Sequence, residues 1–230
     1  VLSGPQRLDN IYFIRYNMKT SNTPFPLSAL MSAQKNDDYI STIERSVFRH
    51  DVFLDTDIGD PSNYRDLLAL LFNANEDDTV VLYINSHGGQ LDTALAIVEG
   101  LKATKAHVVA VIIGACHSAA SIISMYCHEV AVLDNAYSMV HTASFGASGN
   151  TSNVKAHTEF TIRQVEKLLN DTYEGFLSKE ELANIKTGVE MWFDAEEIKK
   201  RMNSRVKFLN TKFKAKPKKE PSPVVVKTSV

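Results

Sequence analysis

Short runs of apolar residues alternate with segments of helical periodicity through the middle of the chain. The apolar runs predict buried strands at 52–54, 80–84, 108–113, 129–133 and 138–140. The periodic segments predict one helix that begins at Pro61 and three more at 91–101, 119–126 and 154–176. Two further helices are predicted after the capping signals at Ser178 and Asp194. Strands that alternate with helices predict an α/β fold with a largely parallel sheet.

The two ends of the chain lack this alternation. Residues 1–45 carry few periodic segments, and the loop signal Ser-Asn-Thr-Pro-Phe-Pro at 21–26 predicts an arm or a docking segment. Residues 204–230 are rich in Lys and Pro, which predicts a mobile basic tail. We therefore expect one domain over 46–203, between an arm and a tail.

Composition and charge narrow the class of protein. With 44% apolar and 23% charged residues over 230 positions, the chain has the composition of a soluble globular protein, which excludes collagen-like and disulfide-scaffold proteins. The net charge of -2 hides an asymmetry, because eleven of the 25 basic residues lie from Lys199 onward against one acid, Glu220. Only this basic tail carries the charge that would suit a nucleic acid.

Location signals favour the cytoplasm. No apolar run reaches the roughly 18 residues of a membrane span, and residues 1–10 lack the positive cluster and apolar stretch of a secretory signal. Removal of a leader peptide remains an alternative, because the sequence starts at Val1 instead of Met. Cys116 and Cys127 lie in a strongly apolar segment, which favours buried, reduced thiols. We therefore expect a cytoplasmic protein without membrane contact.

Three of the predicted strands end in small or polar residues, at the edge of the sheet where open α/β folds bind ligands. Gly88 and Gly89 follow the strand at 80–84, and paired glycines let backbone N–H groups approach a ligand closely, as an oxyanion hole requires. The segment 114–123, Gly-Ala-Cys-His-Ser-Ala-Ala-Ser-Ile-Ile, places serines where a strand passes into a helix. His141 ends the strand at 138–140. Taken singly, these residues are typical of a turn, a helix cap and a structural histidine.

The order of the three segments resembles the ClpP family of serine peptidases. The matching motifs are Ile84–Gly89, Ser118–Ser121 and Met139–His141, and the resemblance runs from about Val52 to about Arg201. It implies a ClpP/crotonase-like α/β fold, a repeated β-β-α spiral with a largely parallel sheet and a protruding handle helix.

The resemblance also implies roles for individual residues. Ser121 falls on the nucleophile of the family, His141 on its general base and Glu190 on its acid, where the ATP-dependent enzymes use Asp. Glu can orient a histidine as Asp does. Asp194 is a second choice for the acid and is expected instead to cap the helix that follows it.

Further positions follow from the same resemblance. The oxyanion donors would be the backbone N–H groups of Gly89, or of its neighbour Gly88, and of Ile122. The loop and strand at 142–153 would align the substrate backbone. The substrate-binding positions would be Thr142, Ala143, Ser144, Phe145 and Gly146.

The chain departs from the housekeeping enzymes of this family. Counted from Ser121, the glycines of the family motif, four residues before and two after the nucleophile, are replaced by His117 and Ile123. His87 replaces the Pro that usually precedes the glycine pair. Two features resemble ClpP-like proteases of tailed bacteriophages, some of which act in head maturation. They are the sequence Ser-Ala-Ala-Ser-Ile-Ile-Ser-Met at 118–125 and the acid before Trp192.

No metal or other cofactor is expected. The sequence has no His-Glu-x-x-His or Cys-x-x-Cys pair and no Gly-x-x-x-x-Gly-Lys motif, so any use of ATP would lie in a partner. The resemblance implies protein or peptide substrates and a homo-oligomeric ring interlocked by the long helix. It also implies an AAA+ unfoldase or capsid proteins as partners.

Other interpretations remain beside the peptidase. A crotonase-type acyl-CoA enzyme shares the fold and the oxyanion arrangement but needs neither Ser121 nor His141. A non-catalytic assembly or scaffold subunit would follow if His87 and His117 distorted the site. A Ser-Lys dyad would need a lysine near Ser121, and the candidates by position are Lys102, Lys105 and Lys155.

Overall fold

A computed structural model of the chain describes residues 12–15 and 47–214, which form a seven-stranded sheet with helices packed on it. The strands are β1 (Tyr12–Arg15), β2 (Arg49–Leu54), β3 (Thr79–Ser86), β4 (His107–His117), β5 (Glu129–Val132), β6 (Tyr137–Val140) and β7 (Met191–Asp194). The helices are α1 (Arg65–Asn73), α2 (Leu91–Ala103), α3 (Ala119–Met125), α4 (Thr151–Tyr173), α5 (Lys179–Lys186) and α6 (Ala195–Lys214).

The central part of the sheet is parallel, as the sequence predicts. Strands β2, β3, β4 and β5 lie side by side in parallel, and β6 runs parallel to the last residues of β4. Only the outer strands are antiparallel, β1 against β5 and β7 against β6. The predicted α/β class with a largely parallel sheet is confirmed.

The core lies where the apolar runs of β3, β4 and β5 meet the inner faces of the helices. Val80, Leu82 and Ile84 are fully buried along β3, and Val130 and Val132 along β5. Consecutive residues are buried at 80–82 of β3 and all along β5, so these strands are apolar on both faces, whereas β2 exposes every second residue. Cys116 and Cys127 are buried free thiols, as expected, and burial raises the pKa of Cys116 to about 12.

The helix starts follow the predicted capping signals. The Asp60 side chain accepts a hydrogen bond from the Ser62 N–H and begins a single 3-10 turn, Pro61–Tyr64, ahead of α1. Ser178 and Glu181 form a capping box for α5. Asp194 caps α6, because its carboxylate accepts the Glu197 N–H at 2.8 Å.

Helix α4 is the element that corresponds to the expected handle. None of its residues in 151–164 is buried, whereas its second half buries Val165, Leu169, Thr172 and Tyr173 against the body. The helix begins at Thr151, three residues earlier than predicted, because the Asn150 side chain caps it by accepting the Asn153 N–H.

The prediction that the tail begins at 204 is wrong for 204–214. These residues continue α6, and apolar residues at helical spacing, Met202, Val206 and Leu209, pack against the core. The Arg205 guanidinium also donates to the Glu174 carbonyl oxygen at 2.7 Å. Residues 215–230 lie outside the described residues, so a mobile basic tail there stays a prediction.

The predicted arm at 1–45 also lies outside the described residues, except for β1. Strand β1 pairs with β5 in the register Tyr12 to Val132, so this part of the arm extends the sheet. Within residues 12–15 and 47–214, no helix combines the length and the apolar character that a membrane crossing needs.

Candidate functional site

The carboxyl ends of β3, β4 and β6 meet at one edge of the sheet, because the three strands are parallel. Strand β4 pairs with β6 through His117 and Met139, and the N–H of the next residue, Ser118, donates to the Met139 carbonyl oxygen at 2.8 Å. This backbone bond holds the turn between β4 and α3 beside the end of β6. His141, the residue that follows β6, therefore lies next to Ser118.

Ser118 and His141 form a hydrogen-bonded pair. Their Oγ and Nε2 atoms are 2.8 Å apart, and both side chains are partly exposed. A hydroxyl and an imidazole within hydrogen-bond reach are what activation of a serine nucleophile requires. The resemblance predicts such a pair between Ser121 and His141. In the structure the serine of the pair is Ser118.

The backbone of Ser118 is strained. Its φ of 49° makes it the one residue other than glycine with a positive φ in the described part of the chain. Such a conformation costs on the order of 1–3 kcal/mol and persists only where the surroundings enforce it. The Met139 carbonyl oxygen holds the Ser118 N–H, and the Ser118 carbonyl oxygen accepts from the Ile122 N–H at 3.1 Å.

The structure does not bring Ser121 to His141. Ser121 is the third residue of α3 and is fully buried, because the helix turns this face inward. Its Oγ–H donates to the Ser118 carbonyl oxygen at 2.9 Å, and its Oγ also hydrogen-bonds the Tyr173 hydroxyl. Ser121 therefore has two partners inside the protein and no contact with the imidazole.

The amide of Ile122 does not face the pair either. Its N–H donates to the Ser118 carbonyl oxygen within the first turn of the helix, so the expected oxyanion role of Ile122 does not fit the geometry. The residue after Ser118 is Ala119, the first residue of α3, whose N–H has no acceptor four residues earlier within the helix. Ala119 replaces Ile122 as the candidate donor on this side.

The two glycines after β3 differ in the direction of their N–H groups. The Gly88 N–H donates to the Ser86 Oγ at 3.1 Å. Gly89 bridges to Ile58 in parallel, through bonds that use the Gly88 carbonyl oxygen and the Gln90 N–H. The Gly89 N–H takes no part in this bridge, so Gly89 fits the expected donor role better than Gly88.

Gly88 lets this loop approach the serine turn. A Cβ atom on Gly88 would lie 2.7 Å from the His117 carbonyl oxygen and 2.9 Å from the Ala119 nitrogen, distances that real side chains do not reach. Its φ of +93° also favours glycine. The loop and the turn therefore pack backbone to backbone, which brings the segment that holds Gly89 close to Ser118 and Ala119.

The structure places Glu190 and Asp194 at opposite ends of β7. Met191 pairs with Val140, so the antiparallel register continued by one step puts Glu190 opposite His141. Glu190 is exposed, and no hydrogen bond joins it to His141 within residues 47–214. Asp194 pairs with Tyr137 at the far end of the strand and caps α6, as expected of it.

A pair of histidines, His87 and His117, lies beside the site. The Nδ1 atoms of His87 and His117 are 3.2 Å apart, so one ring donates and the other accepts. The His117 ring also packs edge-on against Tyr137 and Trp192. Burial lowers the pKa of His117, and His87 lowers it further, which keeps this ring neutral near pH 7.

A cavity of about 550 Å³ opens over the Ser118–His141 pair. Ala143 and Ser144 line it, whereas the other expected substrate positions, Thr142, Phe145 and Gly146, do not. The segment 142–150 has no strand, which departs from the expected loop and strand at 142–153, since α4 begins at Thr151. The remaining wall is mostly apolar, formed by Ile58, Leu91, Ile122, Met139, Val165, Leu168, Leu169 and Tyr173. No three His, Cys, Asp or Glu side chains of the described ranges are grouped as metal ligands would be.

Ser118, which the structure pairs with His141, is not the serine that the sequence interpretation chose, although a signal for it was present. Gly114 lies four residues before Ser118, which is the spacing of the family motif. The structure gives a reason for this glycine, because a Cβ there would lie 2.4 Å from the Asn85 Oδ1 atom. The Asn85 oxygen in turn accepts the Ala115 N–H at 3.0 Å.

Comparison with known proteins gives the following matches. The family model described as Clp protease matches residues 34–201. ATP-dependent Clp protease proteolytic subunit 1 of Streptomyces coelicolor is 27% identical over 132 residues, which are 56% of this chain and 60% of that protein. ATP-dependent Clp protease proteolytic subunit 3 of Streptomyces avermitilis is 26% identical over 132 residues, with the same two shares. The match thus spans about 60% of the length of these curated relatives.

Proposed function

Because the chain belongs to the Clp protease family, we propose that it is a serine peptidase with Ser118 as the nucleophile and His141 as the general base. The observation that carries this proposal is the 2.8 Å hydrogen bond between Ser118 Oγ and His141 Nε2. The strained turn at Ser118 supports it, since conformations of this kind cluster at active sites. A crotonase-type acyl-CoA enzyme would have no use for this pair.

The first step is attack on a peptide carbonyl. Ser118 Oγ forms a bond to the carbonyl carbon while its proton passes to His141 Nε2. The carbonyl oxygen becomes an oxyanion, and the N–H groups of Gly89 and Ala119 are the donors that we assign to it. Loss of one such donor typically lowers turnover about 10²- to 10³-fold.

The second step releases the two products in turn. The imidazolium of His141 protonates the leaving amine as the C–N bond breaks, which leaves an acyl group on Ser118. A water molecule then attacks this ester while His141 takes its proton; as the ester C–O bond breaks, His141 returns the proton to Ser118 Oγ and the carboxylic acid product leaves.

Glu190 is the acid that we assign to His141. The register of β6 and β7 brings the backbone of Glu190 opposite the histidine. A carboxylate at that position would accept the imidazole N–H, hold the ring in the required tautomer and stabilise its protonated form. The side chain is exposed in the free chain, so this contact forms by rotation of the Glu190 side chain toward the ring.

The cavity supports peptides with an apolar side chain next to the cleaved bond. Leu91, Ile122, Val165 and Leu168 line it within reach of the pair. Burial of an apolar side chain there would gain about 25 cal/mol per Å² of surface removed from water. The open segment 142–146 would meet the substrate backbone, which permits broad sequence tolerance.

We further propose that the protein acts on protein or peptide chains as a homo-oligomeric ring. Phe160 and Ile162 on the unburied half of α4 are 54% and 45% exposed, which favours burial against another copy. The two relatives are named as proteolytic subunits of an ATP-dependent protease, which supports an ATP-using partner, and the family resemblance implies that this partner is an AAA+ unfoldase. Capsid proteins remain the alternative partner, from the resemblance to phage proteases.

A peptidase assay tests the proposal. Purified protein of determined native mass is incubated with casein and with a fluorogenic peptide that carries Leu before the scissile bond. We expect turnover that Ser118→Ala and His141→Ala each lower by at least about 10³-fold. Wild-type turnover in Ser118→Ala would overturn the assignment, and a ring without any turnover would favour a scaffold subunit.

A further inference from the structure

Ser121 and Tyr173 form a buried hydrogen-bond chain that ends on the Ser118 backbone. The Ser121 Oγ lies between the Tyr173 hydroxyl and the Ser118 carbonyl oxygen, 2.9 Å from the latter. Ser121 has no exposed surface, and Tyr173 is 1% exposed. The peptidase mechanism uses neither hydroxyl, so this chain needs its own explanation.

The direction of the chain follows from the count of protons. The Ser118 carbonyl has no hydrogen, so the Ser121 Oγ–H must donate to it. The phenolic O–H of Tyr173 must then donate to the Ser121 oxygen. Burial raises the pKa of Tyr173, which keeps the phenol protonated and able to donate.

The strained turn depends on the group at the end of this chain. The Ser118 carbonyl oxygen accepts from two donors, the Ser121 Oγ–H and the Ile122 N–H. A residue with a φ of 49° relaxes unless its neighbours restrain it. Because the N–H of Ser118 is bound to Met139, the carbonyl is the other place where the turn can be held.

Tyr173 connects this turn to a different part of the molecule. It is the last residue of α4, and its ring lines the cavity next to Ser118. A second polar contact between α4 and the end of α3 joins Thr172 Oγ1 and Tyr126 OH at 3.3 Å, and it does not touch Ser118. Of these two polar contacts, the Tyr173 contact is the one that reaches the Ser118 turn, through Ser121.

We propose that Ser121 and Tyr173 are positioning residues, which hold the Ser118 turn in its reactive conformation and couple it to the end of α4. This inference rests on the proposed function of Ser118. Ser121, the serine that the family resemblance assigned to the nucleophile, would then act through Ser118 without touching the reacting atoms itself.

Matched variants separate positioning from general stability. Ser121→Ala removes the bond to Ser118, and its control Ser124→Ala removes an equally buried bond of the same spacing in the same helix, Ser124 Oγ–H to the Ser121 carbonyl oxygen at 2.8 Å. Tyr173→Phe removes the outer bond, and its control Tyr126→Phe removes the neighbouring contact to α4.

The rate of fluorophosphonate labelling and kcat are measured, with KM and Tm, for these four single variants and for the double variant Ser121→Ala/Tyr173→Phe. We expect Ser121→Ala to lower kcat and labelling about tenfold, the factor that loss of one hydrogen bond of about 1.4 kcal/mol corresponds to, with KM unchanged. Tyr173→Phe acts less strongly, because Ser121 still donates, and in the double variant it adds nothing to Ser121→Ala. The controls lower Tm without lowering kcat. Equal losses in Ser121→Ala and Ser124→Ala would overturn the proposal.

A crystal structure of Ser121→Ala keeps the test independent of activity. We expect the Ser118 turn to relax and the Oγ to Nε2 distance to His141 to exceed 3.5 Å, the limit for a hydrogen bond. An unchanged Ser118–His141 contact in Ser121→Ala would overturn the positioning role even if this variant had lost activity. A wild-type protein that never labels would instead contradict the proposed function, and the crystal structure would still decide the positioning role.

Discussion

Gly88 packs directly against Ser118: a Cβ atom on the glycine would lie 2.8 Å from the Cβ atom of the serine. Only a residue without a side chain lets the loop after β3 reach the turn after β4. This contact joins the candidate oxyanion donor Gly89 to the candidate nucleophile.

Gly88→Ala is therefore expected to abolish the site. The added methyl group would push the loop away from Ser118, and we expect turnover to fall by at least about 10²-fold, the scale for loss of one oxyanion donor. The measurement is kcat on a fluorogenic peptide. The control is Gly188→Ala, where φ is also positive, at +101°, but no atom lies within 4 Å of the new methyl group. Gly188→Ala should cost about 1–2 kcal/mol of stability and no activity, and equal activity losses in both variants would point to backbone strain alone.

The two acids at the ends of β7, Glu190 just before the strand and Asp194 as its last residue, are expected to behave differently. Glu190→Gln should lower kcat by about 10²- to 10⁴-fold with little change in Tm, because an amide cannot stabilise the imidazolium of His141. Asp194→Ala should lower the free energy of unfolding by about 1 kcal/mol through loss of the α6 cap, with kcat unchanged. Kinetics and chemical denaturation of both variants check this. The reverse pattern would assign the acid to Asp194.

His128 is expected to make the protein less stable in mild acid. Burial lowers the pKa of His128, the electrostatic interaction with His107 lowers it further and Glu129 partly opposes both, while the ring Nδ1 accepts the Val108 N–H at 3.0 Å. The unfolded chain therefore binds more protons below about pH 6.5, so stability falls as the pH drops from there toward the folded pKa. His128→Asn keeps an acceptor but does not titrate. Its free energy of unfolding should fall less between pH 7 and pH 5 than that of the wild type, whereas parallel curves would contradict this account.

Arg201 is expected to stabilise the packing of α5 on α6. Its guanidinium bridges Glu181 at 2.7 Å and Glu197 at 2.8 Å, donates to the Phe176 carbonyl oxygen and lies 4.6 Å from the Phe193 ring centroid. The hydrogen bond from Arg201 is the largest cause that holds the pKa of Glu181 at about 2. This stabilisation is present above pH 4.5 and is lost as the pH falls through about 2.

Arg201→Lys should lower the free energy of unfolding by about 1–2 kcal/mol at pH 7, because an ammonium cannot reproduce the planar, multidentate contacts. The difference from the wild type should shrink at pH 2. Urea denaturation at both pH values measures it, with the exposed Arg163→Lys as the control that changes neither. A difference that stays constant between the two pH values would assign the loss to packing on the aromatic rings.

Much of the fold could be predicted because its core strands are continuous apolar runs. Strands β3, β4 and β5 and helix α2 lie where periodicity places them, since burial on both faces leaves a strong pattern. Strand β7 was not predicted, because its four residues form a strand by pairing with β6 and carry no alternating or apolar pattern of their own. The end of α6 was not predicted to be helical, because its apolar residues, Val206 and Leu209, lie among many lysines.

The sequence pointed to the loops and the histidine of the candidate site, whereas the structure pairs that histidine with Ser118 instead of the expected Ser121. Ser118 and Ser121 stand in one short motif, Ser-Ala-Ala-Ser, and both are compatible with a helix start. What separates them is tertiary: the bond from Ser118 to Met139 turns one serine toward His141, and α3 turns the other toward Tyr173. The spacing from Gly114 was the one local signal that favoured Ser118.

The assignment of the nucleophile is tested most directly by locating a covalent adduct. The assembled protein is treated with a fluorophosphonate, digested, and the modified residue is identified by fragment-ion mass spectrometry, for the wild type, Ser118→Ala and Ser121→Ala. We predict an adduct on Ser118 in the wild type and, more slowly formed, in Ser121→Ala, and no adduct in Ser118→Ala. An adduct on Ser121, or labelling that persists in Ser118→Ala, would contradict the account.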